Sequence, residues 1–235
     1  MSRGIATARV RTFATHWLPS SARAWLENVE NAAFTRALTD AMKKVPQLSG
    51  REEMIASSIA KRGTEIFSDA YRDASPSDAE ATHAKTAART IAAYEQLRPF
   101  LGNDDSTMDF LRTHAGAERT AVTMNGGLVK GALLLSRDRV QTLAGMVGNV
   151  THDLRPGAWS RTNEDDGSVS FATCECTYYA FFKKHDAAFL TQTTCCSLDV
   201  PVWFGNVDPK TATVELGESL ARGDPRCRIT VRPGA

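Results

Sequence analysis

The feature that most constrains this chain is a change of hydrophobic period near Pro156. Before it, apolar residues recur every three to four positions, the spacing of one helix face. After it, short runs alternate apolar with polar, the spacing of a half-buried strand. A long helical half followed by short strands cannot build the regular strand–helix alternation of a parallel α/β sheet. We therefore expect an α+β fold: a helical N-terminal half, then a small antiparallel sheet with further helices.

The punctuation supports this division. Leu26, Val29, Ala33 and Ala37 follow helical spacing between Pro19 and Pro46. Ser49 with Glu52 reads as a capping box before Ile55, Ile59 and Ile66. Ser75 reads as the cap of a third helix with Pro76 at its first position; Ala84, Ala88, Ile91 and Tyr94 are its stripe, and Pro99 with Gly102 ends it. Ser106 and Asp109 mark a start before Phe110 and Leu111. The stretch 124–150 has helical spacing at Leu135, Val140, Leu143 and Val147, but five glycines interrupt it. Its GGLVKG lacks the spacing of a phosphate loop, so we read these glycines as sites of close packing.

Beyond Pro156, NEDDG reads as a turn and Val169, Phe171 and Thr173 as a strand. Residues 176–185 suit a helix, and 196–204 a second one bent at Pro201. Thr213 to Ala221 reads as a strand, RGDP as a hairpin turn, and Cys227, Ile229 and Val231 as one face of the returning strand. There are no repeats and no low-complexity linker. We divide the chain into a basic tail, 1–18, and one α+β domain, 19–235, mainly helical over 19–155 and cysteine-bearing over 156–235.

Composition narrows the function classes. A net charge of +1 predicts no attraction to nucleic acid or to an anionic membrane. No apolar run approaches the roughly 20 residues of a membrane span, and no secretory leader is evident. The early arginines Arg3, Arg9, Arg11 and Arg23 precede the first acid, Glu27. Such starts occur in transit peptides, but we read a basic tail on a cytoplasmic protein. The expected partner is a small molecule, with self-association compatible.

All five cysteines lie between 174 and 227. The odd count, the neighbours Cys195 and Cys196, and the missing leader argue for reduced thiols. Cys176 falls where a strand gives way to a helix, and a helix start favours a thiolate. Cys196 and Asp199 are three apart and share a helix face; Cys227 is on the apolar face of the last strand. Three readings stay open: buried thiols in a core, a zinc site, and a catalytic thiol with Asp199 or His185 to move protons. The spacing lacks the paired C-x-x-C of a zinc site, so we expect no cofactor, with zinc as the alternative.

Three motifs in order carry a resemblance: C-T-Y-Y-A-F-F from Cys176, L-x-x-x-x-C-C-x-x-D from Leu190 to Asp199, and T-V-E-L-x-x-S-L-A-R-G-D-x-x-C from Thr213 to Cys227. Over residues 165–232 the chain resembles the L-2-amino-thiazoline-4-carboxylic acid hydrolase family. The resemblance matches Cys176, Cys196, Asp199, Gly223, Asp224 and Cys227, and implies a hydrolase that opens a small cyclic amidine. The His185-Asp186 pair and the doubled Cys195-Cys196 depart from the family pattern. Other members build or rearrange rings, so a ring-forming enzyme and a non-catalytic binding module remain alternatives. The expected catalytic residues are Cys176, Cys196, Asp199, Cys227 and His185; Tyr178, Arg222 and Arg228 are expected to hold the substrate.

Overall fold

A computed structural model describes residues 32, 34–114, 129–154, 157–192, 196, 204 and 207–234. The basic tail, most of the first expected helix, Cys195, Asp199 and Pro201 lie outside them. After a helical stretch at 34–42 come α1 (Glu52–Ala70), α2 (Asp78–Leu101), α3 (Asp104–His114), a helical stretch at 129–135 and α4 (Arg139–Leu154). Then follow β1 (Ser160–Asn163), β2 (Val169–Thr173), α5 (Thr177–Lys184), the single turn α6 (Phe189–Thr191), β3 (Ala212–Glu218), a 3-10 turn (Leu220–Arg222) and β4 (Cys227–Pro233). The strands form one antiparallel sheet in the order β1-β2-β4-β3. The α+β division expected from the period change is the observed one. No described helix is long and apolar enough to cross a membrane.

The helix boundaries differ from those expected, each for a local reason. Ser77, not Ser75, caps α2, because its Oγ accepts the Glu80 amide at 3.3 Å. Pro99 does not stop α2, whose last turn absorbs it; the helix ends at Gly102, which takes φ +89°. Asn103 caps α3 through its Oδ1 and the Ser106 amide, so that helix starts before Ser106. At α1 the expected box is half made: Glu52 reaches back to the Gly50 amide at 2.9 Å, while Arg51 at the cap makes no side-chain bond. α4 forms across its glycines, and Gly148 lets the Phe171 ring approach to 3.3 Å of where a Cβ would stand.

Two apolar clusters result. One packs α1 along α2 and takes in α3 and the buried Phe181, Phe182, Ala187 and Leu190 of the α5–α6 segment. The other packs α4 on β2 and β4 through Leu143, Val147, Val169, Phe171, Ile229 and Val231. The chain leaves the sheet cluster at Thr173 and enters the helical cluster through α5. The candidate site lies at that crossing.

Candidate functional site: three thiols at the start of α5

β2 ends at Thr173, whose register partner is Cys227, the first residue of β4. The Thr173 Oγ1 donates to the Glu175 carbonyl at 2.9 Å and accepts its amide at 3.0 Å, which folds the chain back after the strand. Cys176 then takes the extended N-cap conformation, φ −124° and ψ 121°, and its Sγ accepts the Tyr179 amide at 3.5 Å. Sulfur here fills the place usually taken by a Ser, Thr or Asp oxygen. Cys176 is half-buried.

Cys227 is buried, and its Sγ accepts the Leu220 amide at 3.4 Å. The turn that presents this amide is tied together at Ser219. The Ser219 amide donates to the Asp224 carboxylate at 2.7 Å, and the Asp224 amide returns to the Ser219 carbonyl at 3.2 Å. Gly223 sits between them at φ +87°, where a side chain would be strained. The Ser219 Oγ is 3.3 Å from Cys196 Sγ. Thiols from a helix start, a strand start and the segment after α6 therefore meet around one turn.

Their electrostatics separate the roles. A hydrogen bond to Cys176 and burial together push the Cys227 thiol up, with smaller contributions from the charges Cys176 and Cys196 can carry; the Leu220 amide opposes them only in part. Cys227 therefore keeps its proton beside Cys176. Cys174, by contrast, is exposed. It lines an open groove of about 610 Å³ with Ser160, Ala172, Thr173, Glu175 and Arg226, whose lining does not include Cys176, Cys196 or Cys227. Among the described residues no group of three or more His, Cys, Asp or Glu is arranged to hold a metal ion. Zinc does not fit the described donors.

The other expected residues fall elsewhere. His185 is the C-cap of α5, so the full length of that helix, about 12 Å at 1.5 Å per residue, lies between it and Cys176. Its ring packs tilted against Phe181 with centroids 4.7 Å apart, and its buried Nε2 has no hydrogen-bond partner among the described residues. Burial first, then Lys184 and Arg62, push its pKa below the usual histidine range, against Glu95 and Asp186. Tyr178 points at α2: its hydroxyl is 3.2 Å from Nδ1 of His83, a contact that the sequence reading did not foresee. Arg222 donates to the Gly217 carbonyl and lies 3.4 Å from Asp224. Arg228 is held by Glu164 at 2.9 Å and Ser170 at 3.1 Å. Both arginines have carboxylate partners from the chain itself. Ser219 was the site residue not singled out, although it is the serine of the T-V-E-L-x-x-S-L-A-R-G-D-x-x-C motif.

No known protein family, curated protein or solved structure matches the chain.

Proposed function

We propose that the chain is a small-molecule enzyme working through the Cys176 thiol, a hydrolase that opens a cyclic amidine of the thiazoline type at a C–N bond. The observation that carries the reading is the sulfur of Cys176 at a helix start, bonded by the Tyr179 amide and beside the protonated Cys227. An amide donor on a sulfur at a helix start is the environment a nucleophilic thiolate needs. The ring class comes from the resemblance over residues 165–232. The reading takes the protein as cytoplasmic, with its thiols reduced.

In this reading Cys176 adds to the ring carbon between nitrogen and sulfur. The ring nitrogen leaves as an amine once it has gained a proton, a role this reading gives to Asp199. Water then attacks the enzyme-bound carbon and expels the Cys176 thiolate, leaving a carbamoyl-cysteine-type product. Cys227 holds its proton against the attacking sulfur and so keeps that sulfur oriented.

The test is turnover of L-2-amino-thiazoline-4-carboxylate by the full chain, its Cys176→Ser variant and its Asp199→Asn variant, each with a melting curve. The expected result is turnover lost in Cys176→Ser, and reduced about 100- to 10,000-fold in Asp199→Asn, with both variants folded. Unchanged turnover in Cys176→Ser would remove the nucleophile. No turnover by the unaltered chain, with tight binding of the same ring, would favour a non-catalytic binding module.

A further inference from the structure

The Ser219 hydroxyl lies 3.3 Å from the Cys196 sulfur, and the other bond of that hydroxyl decides which of the two atoms donates. We propose that Ser219 is a positioning residue acting through Cys196: its hydroxyl donates to the Cys196 sulfur, fixes its place and favours its thiolate.

The donor follows by elimination. A serine hydroxyl carries one proton and accepts through its lone pairs. The Ala221 amide donates to the Ser219 Oγ at 3.2 Å, so one lone pair is taken. Ser219 is only 1% exposed, which leaves its proton no route to bulk water. Among the described residues its Oγ has two partners, the Ala221 amide and Cys196 Sγ. The sulfur is the one that can accept. Were the thiol to donate instead, the hydroxyl would accept twice and its own buried proton would have no acceptor, an arrangement that folded proteins avoid.

A hydrogen bond donated to sulfur stabilises the thiolate over the thiol. The donor is itself held in place. The Ser219 amide is bonded to the Asp224 carboxylate, and the Ser219 carbonyl accepts the amides of Arg222 and Asp224. Its hydroxyl therefore meets Cys196 from a fixed direction. Cys196 is half-buried, so the thiolate stays within reach of a small electrophile. Gln192 and Cys196 are also wound as π-helix, a winding that recurs at functional sites. In the hydrolase reading Ser219 thus supports a second ionised sulfur among the residues that the resemblance matches, and this consequence alone rests on that reading.

The experiment follows the rate at which iodoacetamide labels Cys196 of the folded full chain as the pH is raised. Trypsin cuts after Lys184 and Lys210, so Cys195 and Cys196 fall on one peptide without the other cysteines, and fragmentation between the two assigns the label. Ser219→Ala removes only the Oγ bonds, since the amide and carbonyl of residue 219 keep their partners. The expected result is a half-maximal rate displaced upward by about one pH unit in Ser219→Ala, the difference between a hydrogen bond to a charged and to a neutral sulfur. Ser219→Thr keeps the hydroxyl and should restore the original profile, while labelling of the exposed Cys174 stays constant in all three proteins. A profile that does not move in Ser219→Ala, or moves equally in Ser219→Thr, would overturn the proposal. Should the variants fail to fold, the unaltered chain decides: Cys196 must reach its half-maximal rate at a lower pH than the same residue in the urea-unfolded chain, and an equal or higher pH would overturn the proposal. Labelling reads no turnover, so the result stands or falls separately from the hydrolase reading.

Discussion

Replacing Asp224 by alanine tests whether the turn beneath the thiols is held by one carboxylate. Its Oδ2 accepts the amide of Ser219, which is 1% exposed, at 2.7 Å. Alanine leaves that buried donor without its charged acceptor, a loss of about 1.5–3 kcal/mol. The Arg222–Asp224 pair adds little: its side chains are 40% and 36% exposed at 3.4 Å, and such pairs contribute about 0–1 kcal/mol. Arg222 also keeps its bond to the Gly217 carbonyl. The sum is about 2 kcal/mol for Asp224→Ala, or a fall in melting temperature of roughly 4–8 °C at this chain length. Asparagine can still accept the amide through a neutral oxygen, so Asp224→Asn should lose about half as much. Urea denaturation of the three proteins measures both differences.

A second readout ties the loss to the site. The same turn presents the Leu220 amide to Cys227 Sγ. Loosening it should speed labelling of Cys227 by a maleimide under native conditions, while labelling of the exposed Cys174 stays constant. A loss below about 0.5 kcal/mol in Asp224→Ala, or Asn as damaging as Ala, would refute the argument that a charged acceptor on a buried amide holds this turn.

Two further predictions concern the helical cluster. Gly63→Ala should destabilise by about 1–2 kcal/mol despite alanine's better helix propensity, because its Cβ would stand 3.1 Å from the Arg89 Cα and push α1 off α2; Gly145→Ala, which meets nothing, should instead stabilise in the same urea assay. His185 should make the fold acid-sensitive. Its folded pKa lies below 6.5 through burial, Lys184 and Arg62, so below that pH the unfolded chain takes up a proton that the folded chain resists, and stability falls from pH 7 toward pH 5. Urea midpoints at the two pH values should fall less in His185→Gln than in the unaltered chain, and an equal fall in both would exclude this histidine as a source.

The helices were legible because burial of a stripe leaves a periodic trace, as with Ala84, Ala88 and Ile91, all buried on α2. Their ends were less so. Ser75 and Ser77 flank the same proline, and only the geometry of the Glu80 amide chooses between them. β1 left no trace at all: Ser160–Asn163 is exposed along its length and exists because β2 offers it an edge. β3 was read too long, since the chain stops pairing at Glu218 after a bulge and winds into a 3-10 turn.

The site follows the same logic, and the deciding step is a pairing rather than a motif. Alternation put Cys227 on the buried face of the last strand, and the strand–helix junction put Cys176 at a helix start. Each placement is local. What makes them a site is that β4 pairs with β2, opposing Cys227 to Thr173 across more than fifty positions of sequence. Nothing periodic records which strand lies beside which; the β3–β4 neighbour follows from their short connection, but β2 reaches β4 only because both bury one face on α4. Gly223 and Asp224 then make sense together. The glycine turns the chain and the carboxylate holds Ser219, so the Leu220 amide arrives at Cys227 when the strand begins. The G-D-x-x-C spacing is thus explained by the turn's own hydrogen bonds, and a change to either residue should be felt first at Cys227.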